Sequence, residues 1–190
     1  PVSVHLHKAI PMGAGLGGGS ADAACMLRLL NDKFQLALSD DQLIGYALQL
    51  GSDCPFFILN KPCFATGRGE KMETIALDLS AYRFILVNPG IHVNTGWAFS
   101  KIVPAIPARS SRDIVAQPIR SWKTELKNDF EEAVFAEYPE IKRTRDELYE
   151  RGAVYAAMSG SGSTVFGIFE KRIPAALFAA KNYFVHECAG

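Results

Sequence analysis

The chain has 190 residues, with 20 Lys and Arg against 20 Asp and Glu, so its formal net charge is zero. That balance gives no overall field to attract nucleic acid or an anionic membrane, and 48% hydrophobic against 21% charged residues excludes a wholly disordered chain. No apolar run reaches the roughly 18 residues of a membrane-spanning helix. Cys25, Cys54, Cys63 and Cys188 lack C-x-x-C spacing and read as free thiols in a reducing cytoplasm.

In chain order, Val2 to His7 alternates like a half-buried strand, with no basic or apolar leader pattern around it. A glycine-rich turn from Pro11 to Ser20 follows, then a helix whose Ala23, Met26, Leu27 and Leu30 fall on one apolar stripe. Ser39 and Gln42 form a capping-box pair for a second helix, which Gly51 ends. After the turn Ser52 to Pro55, apolar strands are expected over 56–59, 63–66 and 72–77, the last two separated by Gly67-Arg68-Gly69-Glu70.

A second unit is expected from about Ala81. Arg83 to Val87 reads as a buried strand, and Asn94 or Thr95 as the cap of a short helix through Phe99. Residues 104–118 show no periodicity and read as a long loop. Helices are expected over 129–137 and 140–151, strands over 153–158 and 164–169 around Ser159-Gly160-Ser161-Gly162-Ser163, then a helix from Pro174 and a strand near Tyr183 to His186. Helices and strands mix without a regular β-α-β-α order, which points to an α+β fold.

Five glycines between positions 13 and 19, placed before a helix, leave backbone N–H groups uncovered at the positive end of a helix dipole. That arrangement favours a bound phosphate over a plain tight turn, for which one or two glycines suffice. No Lys follows Gly19, so the loop is not of the Walker type. Gly13, Gly15 and Gly18 match G-x-G-x-x-G, and a dinucleotide-binding unit is the runner-up. Asp32 stands at the spacing that unit wants, but at the end of a helix with no apolar strand before it.

The segment Lys8 to Ala24 resembles the ATP loop of the galactokinase, homoserine kinase, mevalonate kinase and phosphomevalonate kinase superfamily. Its triple glycine is similar to that of the kinases acting on cytidine diphosphate methylerythritol in non-mevalonate isoprenoid synthesis. Further matches run in the same order along the chain: Leu50 to Phe57, Gly67 to Glu70, Asn88-Pro89-Gly90, Asn128-Asp129-Phe130-Glu131, and Met158 to Ser163.

The resemblance implies two domains. Residues 1–80 would be the remainder of a ribosomal-protein-S5-like ATP-binding domain, and residues 81–190 a ferredoxin-like α/β sandwich on the substrate side. It assigns ATP binding to Pro11, Met12, Gly13, Ala14, Gly15, Leu16, Gly17, Gly18, Gly19, Ser20 and Ala21, where the family has a second Ser in place of Ala21. Asp53 matches the catalytic aspartate, which would orient the substrate hydroxyl and accept its proton; by itself it also reads as an ordinary turn residue. Thr95 and Phe99 match substrate-binding positions, the aromatic ring stacking on cytosine, although a Phe at helical spacing is commonly core. ATP and Mg2+ are the implied cofactors and a small molecule the implied partner, with no nucleic acid and no membrane. Ser159 to Ser163 resembles the loop that closes on the phosphates, and Cys54 reads as packing. His5, His7, His92 and His186 show no metal-ligand spacing.

The family begins with a strand bearing a catalytic Lys and with a Gly-Tyr-His motif, and residues 1–190 match neither. The chain therefore reads as a C-terminal fragment, expected to have little activity by itself. Another small-molecule kinase of the same superfamily, or a nucleotide-binding module without catalysis, are the alternatives.

Overall fold

The computed structural model describes residues 2–178 and 182–190. It divides into two compact units, Gly17–Leu77 and the pair of segments Pro1–Leu16 and Asp78–Gly190.

The smaller unit is built from three helices, α1 (Gly18–Lys33), α2 (Asp40–Leu50) and α3 (Cys54–Leu59), and a hairpin of β1 (Cys63–Thr66) and β2 (Lys71–Thr74). The expected capping box starts α2: Gln42 N donates to Ser39 Oγ, and Ser39 N to Gln42 Oε1. Ala24, Leu43, Ala47, Cys54 and Ile58 form the buried core, which confirms Cys54 as a packing residue. Asn31 clamps the α1–α2 turn by donating to the Leu38 carbonyl and accepting from its N–H.

Residues 56–59, expected as a strand, belong instead to α3. Pro55 sits in its first turn, where a missing N–H costs nothing. Cys54 and Ile58, four residues apart, bury the same helical face. Burial against two helices here overrides the strand preference of Phe56-Phe57-Ile58. The strand expected over 72–77 is confined to β2 and ends at Thr74.

The larger unit centres on a four-stranded antiparallel sheet in the order β4 (Tyr155–Met158), β5 (Val165–Phe169), β3 (Arg83–Asn88), β6 (Phe184–Ala189). This is the strand order of a ferredoxin-like split β-α-β unit. The side-chain period of two sorts its faces. Ile85, Val87, Ala156, Met158, Val165 and Phe169 enter one core with Val134, Ile141 and Leu148 of α7 (Phe130–Glu137) and α8 (Pro139–Glu150). On the other face Tyr155 meets Trp122 and Phe166 edge-on.

Trp122 comes from α6 (Ile119–Glu125), which follows α5 (Ser111–Val115). The expected loop over 104–118 is therefore partly helical. Ser110 caps α5 by accepting from Asp113 N, and Ile114 is buried, but one apolar contact in a five-residue helix leaves no period to read. The short α4 (Thr95–Ser100) has the expected Asn94 cap.

Residues 2–9 form no strand, and Val2, Val4 and Leu6 are exposed. Alternation gives strand propensity, but a strand also needs a partner for its ladder, and none of the described strands pairs with this segment. The helix expected from Pro174 is a single 3-10 turn at Ala175–Leu177; its continuation over 179–181 lies outside the described residues.

Candidate active site

The glycine segment begins in the larger unit and ends in the smaller one. In the larger unit Ala14 is buried, and its carbonyl accepts from Thr164 N at 3.1 Å. The Gly15 carbonyl accepts from Ser159 Oγ at 2.7 Å. Gly13 and Gly15 have φ of 67° and 75°, and a Cβ on Gly15 would collide with the carbonyl oxygens of Ser159 and Gly162. The serine–glycine loop 159–163 is thus brought against Ala14 and Gly15. Pro11 is half-buried and Met12 is 82% exposed.

In the smaller unit the segment opens α1. Gly17, with φ 64°, is its N-cap, and a Cβ there would lie 2.9 Å from the Phe57 ring. The first helical bond is Ala21 N to Gly17 O at 2.9 Å, so the N–H groups of Gly18, Gly19 and Ser20 precede it and have no intrahelical acceptor. No side chain caps this end, and its first turn holds no acidic residue. Gly19 is helical, and a Cβ on it would meet nothing within 4 Å. Three N–H donors, an uncompensated dipole end and open space fit an anionic phosphate group.

Asp53 stands at the N-cap of α3, exposed, with no side-chain capping bond. The bond a turn-stabilising Asp would make is absent here. The turn Gly67–Glu70 approaches it: a Cβ on Gly69, φ 105°, would lie 3.2 Å from Asp53 Oδ1. Glu70 fixes that turn by accepting from Arg68 N at 2.6 Å, and hydrogen bonds from its own backbone N–H and from that of Arg68 hold its carboxyl below the usual range.

Thr95 and Phe99 lie one turn apart on α4. Thr95 Oγ1 is 3.2 Å from Ser161 Oγ of the serine–glycine loop. Phe99 is 62% exposed and packs edge-on against Phe130 at 4.9 Å between centroids, so it presents ring surface to solvent and is no core residue.

Several residues that shape this region were assigned no role by sequence. Asn88, buried at the end of β3, donates to Ser163 Oγ at 3.3 Å and Thr164 Oγ1 at 2.9 Å, and accepts from Gly90 N at 2.8 Å. Asn128 and Glu131 hold Met158 and Gly160. Their segment was noted as a motif, but partners some thirty positions away leave no trace in local spacing. Among the described residues no group of three or more His, Cys, Asp or Glu side chains could hold a metal ion, and no helix is long and apolar enough to cross a membrane.

Residues 1–61 match the GHMP kinases N terminal domain and residues 108–186 the GHMP kinases C terminal domain. The 4-diphosphocytidyl-2-C-methyl-D-erythritol kinase of Bacteroides fragilis is 51% identical over 189 residues, 98% of this chain and 69% of that protein. Its counterpart from Parabacteroides distasonis is 53% identical over 171 residues, 90% of this chain and 63% of that protein. Among solved structures, a 4-(cytidine 5'-diphospho)-2C-methyl-D-erythritol kinase superposes with a TM-score of 0.74 at 31% identity, covering 96% of this chain and 69% of the other. The homoserine kinase of Cytophaga hutchinsonii, at 15% identity and a TM-score of 0.68, shares the fold.

Proposed function

Since the chain belongs to the 4-diphosphocytidyl-2-C-methyl-D-erythritol kinase family of GHMP kinases, we propose that it serves ATP-dependent phosphorylation of a hydroxyl of 4-diphosphocytidyl-2-C-methyl-D-erythritol, a step of isoprenoid synthesis. One observation carries the reading: α1 begins with three N–H groups that have no intrahelical acceptor, no capping side chain and no acidic residue in its first turn, and Gly19 keeps the approach open. Those donors and the segment Pro11 to Ala21 would hold the ATP phosphates. Mg2+ would come with the nucleotide, since this ion commonly keeps phosphate and water oxygens and needs no protein cage.

The transfer forms a bond from the substrate oxygen to the γ-phosphorus and breaks the bond to ADP. The hydroxyl must lose its proton, and Asp53, with its carboxylate uncommitted to α3, is the group assigned to orient that hydroxyl and take the proton. Phe99 offers a ring face on which cytosine would stack, and Thr95 a hydroxyl beside it.

The test is Asp53→Asn in the full-length protein. Loss of a proton acceptor should lower kcat by about 100-fold or more, with KM for ATP within a few-fold. A variant that keeps its kcat removes Asp53 from the chemistry. ATP binding without turnover in the unaltered protein favours a binding module instead.

A further inference from the structure

The loop 159–163 joins β4 to β5, and Ser159 N to Thr164 O at 2.8 Å already closes that hairpin. Strand pairing alone would fix its register. Yet side chains from a different segment grip its start. Asn128 Nδ2 donates to the carbonyls of Met158 and Gly160, both at 2.8 Å, while its Oδ1 accepts from Phe130 N at 3.0 Å. Glu131 Oε1 accepts from Met158 N at 2.7 Å. Both backbone groups of Met158 and the carbonyl of Gly160 are therefore held by one four-residue stretch.

The grip is itself braced. The Glu131 side chain is 16% exposed, and Arg145 reaches its other oxygen at 3.4 Å. Arg145 in turn bonds Asp146 through Nε at 2.7 Å and lies over the Phe135 ring. Burial pushes the Glu131 carboxyl above its usual range, against the opposing pull of the Met158 N–H and Arg145. From the held loop, Ser159 Oγ bonds the Gly15 carbonyl, and Thr164 N bonds that of Ala14. Contact is continuous from Asn128 and Glu131 to the glycine segment.

We propose that Asn128 and Glu131 are positioning residues for ATP: they fix loop 159–163 and, through Ser159, the placement of Ala14 and Gly15. The inference rests on the reading of Pro11 to Ala21 as the phosphate-binding segment. Neither residue is asked to touch the nucleotide. A carbonyl held in one place by a donor from a rigid neighbour keeps the adjoining N–H groups oriented before the ligand arrives, which reduces the ordering cost of binding.

Three substitutions in the full-length protein test this. Asn128→Asp puts a carboxylate oxygen against two carbonyls, Glu131→Ala removes the acceptor of Met158 N, and Glu131→Gln keeps an oxygen there. The first two should raise KM and Kd for ATP at least about tenfold. Glu131→Gln should restore most of the ATP affinity lost in Glu131→Ala. Ile141→Val, a buried change in the same core, should lower thermal stability without moving KM for ATP. If Asn128→Asp does not fold, Asn128→Ser is read the same way.

Folded Asn128 and Glu131→Ala variants with unaltered ATP affinity overturn the proposal. So does an equal loss in Ile141→Val, which would make the effect one of general destabilisation, or in Glu131→Gln, which would remove the hydrogen bond as its cause. Failure of the unaltered protein to bind ATP overturns the functional reading itself.

Discussion

Replacing Gly15 by Ala adds one methyl group where the backbone of another segment already lies. The new Cβ would fall within 3 Å of the carbonyl oxygens of both Ser159 and Gly162, and φ at this position is +75°. The left-handed conformation alone costs a non-glycine residue about 1 kcal/mol or more. Relief of the clash requires the two carbonyls to move, which opens the 2.7 Å bond from Ser159 Oγ to Gly15 O, worth about 0.5–1.5 kcal/mol. The two contributions come to about 2 kcal/mol before any residual overlap is counted, or about 4–8 °C in Tm for a chain of this size.

Gly19→Ala is the informative partner. Gly19 is helical and its Cβ would meet nothing within 4 Å, so Ala should stabilise α1 by up to about 1 kcal/mol. The same methyl group would stand where a phosphate must approach, and ATP affinity should fall at least about tenfold. Gly45→Ala in α2, equally open, should gain stability with no change in ATP binding. Scanning calorimetry and titration calorimetry with ATP read all three. A Gly15→Ala protein melting within about 1 °C of the unaltered chain would refute the packing argument. A stabilised Gly19→Ala protein that still binds ATP normally would refute the phosphate argument.

Asn88→Leu should cost at least about 2 kcal/mol in urea unfolding, because the Ser163 and Thr164 hydroxyls and the Gly90 N–H lose their buried partner. Gly167→Ala should cost about 1–3 kcal/mol in the same assay, since its Cβ would lie 2.9 Å from the Phe169 ring and 3.2 Å from Leu148. Burial raises the Asp146 carboxyl, but hydrogen bonds from Lys142 and Arg145 outweigh it and leave the group below its usual range. Its contribution is present above the unfolded value and is lost as pH falls through the folded one. The stability difference between the unaltered protein and Asp146→Asn should therefore shrink below about pH 4.

Features whose partners lie close in the chain were legible from sequence. The capping pair Ser39 and Gln42, the stop at Gly51 and the Asn94 cap each need only a neighbour three or four positions away. The sheet strands 155–158 and 165–169 were legible because both of their faces are largely buried and apolar, and 83–88 because the apolar run Phe84 to Val87 is buried or half-buried throughout. Legibility failed where distant contacts decide. Phe56-Phe57-Ile58 is helical because Cys54 and Ile58 pack on α1 and α2. Val2 to His7 alternates correctly and forms no strand, since no described strand pairs with it. The hold of Asn128 and Glu131 on residues 158–160 spans about thirty positions and has no local signature.

The glycines show the same limit at the site itself. In sequence Gly13, Gly15, Gly17 and Gly19 are four equal members of one run. In the structure Gly15 is glycine because two carbonyls crowd it, Gly17 because the Phe57 ring does, and both because φ is positive. Only Gly19 lies in open space with a backbone any residue could adopt, so among these it is the one whose small size the fold does not require. The contrast with α2 sharpens this: that helix fills its own N-terminus with Ser39, Gln42, Asp40 and Asp41, whereas α1 leaves its donors and its dipole uncompensated. The G-x-G-x-x-G spacing does not turn this end into a dinucleotide unit, because residues 2–9 supply no strand and α1 leads into another helix rather than a second strand. The end of α1 thus keeps the uncapped dipole end and the open space at Gly19 that the proposed phosphate site requires.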